Sequence, residues 1–584
     1  MQTTHAFTGG VTWNHRPFGT FRQKVTIGFD VTAEENEQLF PYGLGFIYYP
    51  YGMKGNQRRT FYSLTLDYSL AWHIALTDKI TSSLTAGIQG FADSDYRVFG
   101  QGRDFPAPGL SVITAGAVRT ADEYRYRVIN GGIFAQEQIG FANMFFVTGA
   151  LRLDGNSGFG PDYGLALYPK AQASFIASEL GFWPKNIWNS MKLRVAWGQA
   201  GLAPGVFDKE RTWDAVAGLD GIPAVTPGNI GNRKLKPERS DELEVGFDAG
   251  FLNDRVGVEF TYYTQVTKDA LLLKRYPPSE GWLNLQLTNV GEVRNKGIEL
   301  TVRSIPISTS SVSLDVNFML STNDNKVTSL GGTAPLPYGL GGIGEVREGY
   351  PINSFWGYKL IGIKPGSLTS ALNLLNTYRA SASYNFQNPT HRRSIMNAIA
   401  NAAVQVGTQK EFLGNAYPKL NGSISATLTL FRRVSIYAFV EWATKFYVYN
   451  NTARFMVRYN TYVPEIEAQQ KVFMAKDTVE LEQALREWMK YDWRADDLWV
   501  QKGDFVRLRE IGVSFTLPAR FARLFASRRV TFSFSARNVA LWTKYGGPDP
   551  QVNYAGPGPN LNQGSDFLTL PQATRYIFTL NVEF

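Results

Sequence analysis

The dominant signal along this chain is a strict alternation of apolar and polar residues over long runs, several of nine residues or more. Tyr62, Leu64, Leu66, Tyr68, Leu70, Trp72, Ile74 and Leu76 are interleaved with Ser63, Thr65, Asp67, Ser69, Ala71 and His73. Leu243, Val245, Phe247, Ala249 and Phe251 alternate with Glu242, Glu244, Gly246, Asp248 and Gly250, and beyond Asn253-Asp254 the pattern resumes at Val256. Runs at 312–320, 420–430, 434–442, 511–517, 530–536 and 576–584 repeat it. A period of two sends successive side chains to opposite faces, so these runs predict strands with one apolar and one polar face.

Alternation alone leaves two architectures open: a soluble sandwich with its apolar faces inward, and a membrane barrel with them outward. Strands of soluble sheets usually run about five or six residues. The runs here approach the roughly 9–11 residues that cross a bilayer at a tilt. Their polar rows carry Ser, Thr, Gly, Asp, Glu and Asn, as a wet lumen would. Tyr62, Trp72, Trp442, Tyr576 and Phe584 lie near run ends, where interfacial aromatics belong. Backbone polar groups in lipid must all be paired, which strands achieve only by closing. The pattern therefore predicts an all-β fold, a transmembrane antiparallel up-and-down β-barrel, with roughly 16–19 strands by counting runs.

The connections support the same fold. Tight turns are expected at Thr77-Asp78-Lys79, Asn253-Asp254 and Phe431-Arg432, and long loops at 92–122, 200–240, 327–350, 365–416 and 450–504. Short turns at one end and long loops at the other are the outer-membrane pattern. Within the loops, 389–406 and 478–489 read as short helices. The second takes Thr478 as N-cap, with Val479, Leu481, Leu485 and Trp488 on one face.

Composition narrows the chemistry. No stretch of the 584 residues is apolar enough for a membrane helix of about 20 residues. The chain has no Cys, which removes disulfides, thiolate metal sites and thiol nucleophiles. Its four histidines, His5, His15, His73 and His391, are dispersed, so no histidine metal site or triad is expected. The net charge is +9, from 59 Lys and Arg against 50 Asp and Glu, but the basic residues form no long runs and do not predict a nucleic-acid partner. Gly339–Gly344 fits GxGxxG literally, yet Pro335-Leu336-Pro337-Tyr338 precedes it where a dinucleotide site needs a strand, so it reads as a loop. Glu242 and Glu244 share a strand face and read as a solvated lumen row, not as paired catalytic acids. No enzyme activity, cofactor or metal is predicted. Trp488, Tyr491, Trp493, Arg494 and Trp499 combine aromatic faces with polar neighbours and are candidate substrate contacts, with loop-core packing as the alternative. The same two readings apply to Tyr447, Tyr449, Phe455, Tyr459 and Tyr462.

The chain ends in a strand whose alternate positions, Tyr576, Phe578, Leu580, Val582 and Phe584, are all apolar or aromatic. This resembles the terminal signal read by the outer-membrane barrel-assembly machinery. Other segments resemble SusC/RagA-type TonB-linked outer-membrane proteins. Arg152-Leu153-Asp154-Gly155-Asn156-Ser157-Gly158-Phe159-Gly160 looks like the family's R-x-D-G-x-S-x-F-G. Tyr168-Pro169-Lys170-Ala171 falls where that family carries an aromatic-Pro before its next strand. Lys192–Gly201 is similar to L-K-L-R-x-S-Y-G-x-T-G, Leu235-Lys236-Pro237-Glu238 to L-K-P-E, and Asn289–Leu300 to N-x-G-x-x-x-N-K-G-x-E. Ser354–Tyr358, Asp504–Arg509 and Asp549–Asn553 resemble three later segments in the family's order.

The resemblance implies an importer of oligosaccharides or peptides in the outer membrane of a Gram-negative cell. It would be embedded in outer-membrane lipid, work with a SusD-like surface lipoprotein that closes over the barrel, and be driven by the TonB complex through an N-terminal plug. Family barrels have about 22 strands. No signal peptide, N-terminal extension, TonB box or plug is recognised here, so residues 1–584 are expected to be a partial TonB-dependent receptor-like barrel domain, incomplete at its N-terminal side and not itself exportable or energised. A plugless passive pore and a secreted, soluble all-β carbohydrate-binding protein or enzyme remain as alternatives.

Overall fold

The computed structural model describes residues 1–44, 49–282, 284–381, 384–556 and 561–584. Among the described residues eighteen strand segments make up the large antiparallel sheet, two of them (312–322 and 324–329) lying end to end on the same partner, which leaves seventeen successive strands, inside the expected range. The residues gather into two compact units: Met1–Gly181 with Lys192–Val245 and Gln265–Gly291, and Phe182–Met191 with Gly246–Thr264 and Glu292–Phe584.

In the first unit β1 (Gln2–Phe18), β2 (Phe21–Phe40), β3 (Met53–Ala75), β4 (Ile80–Arg103), β5 (Val118–Phe141), β6 (Phe145–Asn156), β7 (Ala166–Ile176) and β8 (Trp188–Leu202) each pair antiparallel with the next. The turn at Thr77 is closed by its side chain, whose Oγ1 accepts from the Ile80 amide at 3.0 Å.

Here the structure corrects one expectation. Residues 92–103 and 118–122, read as loop, continue β4 and β5, and the connection shrinks to 104–117. The apolar alternation fades there because the strands have passed beyond the 9–11 residues a bilayer needs. Polar pairing then takes over. Asp95, fully buried on the polar face, is held by Arg59 and Arg97 at 2.8 Å each, and the ladder runs on past it.

The two faces of this wall differ as a membrane barrel requires. Leu64, Leu66, Ile88 and Ile129 are 47–52 % exposed, although they are the most apolar residues of their strands. The opposite face is cross-linked by polar groups: the Ser63 hydroxyl donates to Asp93 at 2.6 Å, Gln89 donates to Asp67 at 2.6 Å, and Arg152 donates to Gln89 at 2.7 Å. A soluble sandwich would bury the first face against a second sheet. A lipid-facing wall leaves it bare.

β9 (Glu238–Phe251) and β10 (Val256–Lys268) follow, and Leu252, Asn253 and Asp254 between them all have positive φ, the backbone that so tight a turn demands.

The second unit continues with β11 (Glu292–Ser308), β12 (Val312–Thr322), β13 (Asp324–Ser329), β14 (Leu420–Leu430), β15 (Val434–Thr444), β16 (Phe505–Thr516), β17 (Arg529–Thr543) and β18 (Arg575–Glu583). β14 and β15 are joined by Phe431, Arg432 and Arg433, the first two with φ 52° and 57°, the positive values so tight a hairpin turn demands. On the apolar face Trp442 lies flat over Gly422, where an added Cβ would sit 2.3 Å from the indole, so glycine is required for that close approach. The last strand, β18, pairs with β17 from Arg529–Glu583 to Arg537–Arg575. Tyr576, Phe578 and Phe584 project from it, exposed, and Tyr576 stacks on Phe534 at 6.3 Å.

The long connections carry helices: α1 (Leu368–Ala380), α2 (Pro389–Ala403), α3 (Asn451–Arg458), α4 (Val463–Met474) and α5 (Thr478–Trp488). Four of them pack a dry core of Leu375, Ile395, Ile399, Val472, Leu481 and Leu485. The N-cap of α5 is Asp477 and not Thr478. Its carboxylate accepts from the amides of Val479 and Glu480, both at 2.9 Å, a stronger acceptor one residue earlier. Val479, expected on the apolar stripe, is exposed, while Leu481, Leu485 and Trp488 are buried.

Candidate functional site

The polar row of β14, alternating with its apolar one, supplies Asn421 and Ser423. β11 and β12 supply Glu299 and Ser321, and β15 supplies Glu441. Together they line a cavity of about 590 Å³ in the second unit. Tyr417, Phe439, Phe446 and Phe505 give it aromatic surface, and Gln551, Asn553 and Gln563 reach it from the segment after β17. Carboxylates, amides and hydroxyls among aromatic faces can hold a ligand rich in hydrogen-bonding groups.

The polar groups are already organised. Arg509 bonds Glu441, and also donates to Gln551 at 2.9 Å and Asn538 at 2.6 Å. Asn553 donates to Gln563 at 2.6 Å and to the Gly556 carbonyl at 2.7 Å, while its Oδ1 is buried and accepts nothing among the described residues.

Segments that resembled the family motifs, far apart in sequence, meet in space. In the first unit the Gly160 amide donates to Leu235 O at 2.7 Å, and Asn289 brackets Lys236 through its amide at 3.0 Å and its carbonyl at 2.7 Å. Glu238 accepts from the Leu271 amide at 3.1 Å. A Cβ on Gly160 would stand 2.1 Å from Arg233 O. Gly160→Ala is therefore expected to destabilise this unit by about 1–3 kcal/mol through forced backbone displacement. A lowered thermal midpoint in detergent, with Gly164→Ala as a comparison lacking any such clash but strained by its positive φ, checks it.

In the second unit Asp504–Arg509 and Asp549–Asn553 are joined by a buried ion pair, Arg507 to Asp549 at 2.6 Å. Ser354–Tyr358 docks on Asp496, which accepts from the Tyr358 amide at 3.0 Å and pairs with Arg454 at 3.1 Å. Burial pushes the Asp496 carboxyl above its ordinary range, against these donors.

The loop aromatics divide. Trp488 and Trp499 are almost completely buried; their indoles donate to Glu465 at 3.0 Å and to Asp492 O at 3.2 Å, so both are packing residues. Arg494 forks onto the buried Asp492, with the closest contact 2.6 Å. Tyr491 and Trp493 are half-buried, and Arg458 stacks over Trp493 at 5.1 Å. Of the second aromatic set Tyr449 is buried, whereas Phe455 and Tyr459 are exposed and meet in a tilted pair with centroids 4.4 Å apart. Gly339–Gly344 forms the tip of a small hairpin, as a loop should, and Glu242 accepts from Gln265 at 2.9 Å on the polar face. Alternation had marked Asn421, Ser423 and Glu441 as lumen positions. Nothing local marked Asn553 or Gln563, which reach the cavity from irregular chain.

Comparison with known proteins follows the same lines. The family described as TonB dependent receptor-like, beta-barrel matches residues 1–391. TonB-dependent receptor P3 of Formosa agariphila is 24% identical over 485 residues, covering 77% of this chain and 45% of that protein. TonB-dependent receptor SusC of Bacteroides thetaiotaomicron is 25% identical over 251 residues, 39% of this chain and 25% of that one. The chain thus spans just under half the length of the first relative. Among solved structures, that of the RagAB peptide transporter superposes with a TM-score of 0.76 at 16% identity, covering all of this chain and 62% of the other, which establishes a shared fold.

Proposed function

This chain belongs to the TonB-dependent receptor-like β-barrel family, and from that premise we propose that it is the barrel of an outer-membrane importer of peptides or oligosaccharides. The observation that carries the reading is the cavity of about 590 Å³ on a polar strand face, where Glu299, Asn421, Ser423 and Glu441 stand among aromatic rings. A peptide N–H or a sugar hydroxyl finds acceptors in the Asn421 and Glu441 side chains, and the aromatic walls take apolar edges of either cargo. Any cargo contact from the loop before β16 falls to Tyr491, Trp493 and Arg494, since Trp488 and Trp499 are enclosed.

The proposed partners follow from the family. The exposed lipid-type face meets outer-membrane lipid. A SusD-like lipoprotein covers the long-loop end, in line with the likeness to the RagAB transporter. Tyr576, Phe578, Leu580, Val582 and Phe584 serve the barrel-assembly machinery, and the TonB complex acts through the plug of the whole protein. Members of the family are receptors and transporters, and the proposal includes no chemistry on the cargo.

The test is titration calorimetry of the full chain in detergent against defined oligopeptides and oligosaccharides. One class should bind, and Asn421→Ala, at an exposed polar position of the cavity wall, should weaken it about tenfold, the worth of one hydrogen bond to cargo. Binding of neither class, together with steady conductance in planar bilayers, would replace this reading by the passive pore. Release from cells in aqueous buffer without detergent would replace it by the soluble protein.

A further inference from the structure

On the apolar face of the first unit lies a trough of about 500 Å³. Its floor is a row in register across four strands: Leu66 of β3, then Gly90, Gly131 and Gly155 of β4, β5 and β6. Ile88, Ile129 and Ile133 form its banks, each about half exposed, and Leu165 closes over Gly155. A plain lipid-facing wall is paved with large side chains; three aligned glycines leave a slot with the width of a hydrocarbon chain.

The slot has a charged head. Two rows above its bank, Tyr62, Ser94 and Arg127 stand in register, and the next row holds Thr60, Tyr96 and Arg125. Arg125 and Arg127 therefore sit on the apolar face of β5, about 13 and about 7 Å along the strand from Ile129. Both are exposed, and among the described residues neither side chain forms an ion pair or hydrogen bond. The neighbouring Arg58, on the same face, is by contrast paired with Glu35 at 3.0 Å. The acidic Glu123 lies on Arg58's row, one step farther from the trough. These arginines lie toward the connection 104–117 and away from the tight turn at Thr77, which is the extracellular end of an outer-membrane barrel.

Resting on the membrane reading above, we propose that this trough is a binding site for one anionic, phosphate-bearing lipid of the outer leaflet. An acyl chain lies along the glycine floor, and the phosphate is held between Arg125 and Arg127, with Tyr62 and Tyr96 at the interface. Arginine suits the task because its planar fork meets phosphate bidentately. The apolar banks exclude water from the chain below, and the paired charges fix the headgroup above.

The test uses the full chain folded into mixed vesicles of phosphatidylglycerol and phosphatidylcholine, then extracted into detergent for native mass spectrometry. One phosphatidylglycerol should stay bound in preference to phosphatidylcholine. Arg125→Gln with Arg127→Gln should weaken retention about thirtyfold, the combined worth of two arginines near an anionic surface. Gly131→Leu should abolish retention by filling the slot. A Cβ there meets nothing closer than 3.5 Å, so the backbone need not shift, and the rest of the leucine projects into the slot; flotation of this variant reports that it still folds into the vesicle. Flotation of all variants with the vesicles separates the two readings. A chain that does not float overturns the membrane reading and this one with it. A chain that floats but retains both lipids equally, retains phosphatidylglycerol after Gly131→Leu, or fills the slot with a second copy and runs as a dimer overturns only the lipid site.

Discussion

Replacing Arg507 by Met is expected to destabilise the second unit by about 3–5 kcal/mol, the usual cost of stranding one member of a buried ion pair. Arg507 and Asp549 are only 3% and 2% exposed and meet at 2.6 Å. Without the guanidinium, the Asp549 carboxylate keeps the Gln551 amide at 2.9 Å and lies otherwise buried with its charge. Asp549→Asn strands the guanidinium instead, whose Nε already lacks an acceptor among the described residues. Each single change should therefore be severe, and the double change Arg507→Met with Asp549→Leu should cost much less than their sum. Urea titration of the folded chain in detergent reads all three. Single losses under about 1 kcal/mol, or strict additivity, would show that the pair does not anchor this region. The anchor has a functional side as well. It ties the start of β16 to the segment presenting Gln551 and Asn553, so Arg507→Met should also weaken cargo binding without touching the cavity wall.

That pair shows what local sequence could and could not deliver. The strands were legible because a sheet with lipid on one side and water on the other imposes a period of two on every crossing, as 420–430 and 434–442 show almost residue for residue. The signal failed at Arg97 and Asp95, where the strands leave the bilayer and neither face is selected for apolarity. Three of the five loop helices were missed: α1 and α4 bury their apolar residues against other loop helices, so no long stripe survives in either, and α3 spans only eight residues, with Val457 alone buried, against Phe355, Tyr449 and Trp499. For α4 a usable cue existed, Pro464 in the first turn followed by Glu465. The cavity was half legible. Lumen positions on β14 and β15 follow from alternation, but Asn553 is placed by the Arg507–Asp549 contact 42 residues apart, which no local pattern encodes. Sequence left the loop tryptophans open between two readings, because an aromatic beside a carboxylate looks the same whether it faces a ligand or closes a core.

One of those core contacts makes the helical loop sensitive to pH. Glu465 is 2% exposed at the start of α4. Its Oε1 accepts from Trp488 at 3.0 Å and from Gln469, while Oε2 has no partner among the described residues. Burial raises its carboxyl from 4.5 to about 7, against the Trp488 and Gln469 donors and the attraction of Arg392 and Arg393 from α2. The native loop thus holds a proton that the unfolded chain releases near pH 4.5. Its contribution is fully present below that pH, falls as pH rises, and is lost above about 7. Protease resistance of 389–488 in the folded chain should accordingly be greater at pH 5 than at pH 8. Glu465→Gln keeps an acceptor for the Trp488 indole and carries no charge, so it should flatten the profile and stabilise the loop at pH 8 by about 3 kcal/mol. A Glu465→Gln chain that still loosened between pH 5 and 8 would assign the sensitivity to another group. A wild-type chain equally resistant at both would mean that Glu465 stays ionised in its buried site, with Arg392 and Arg393 closing on Oε2.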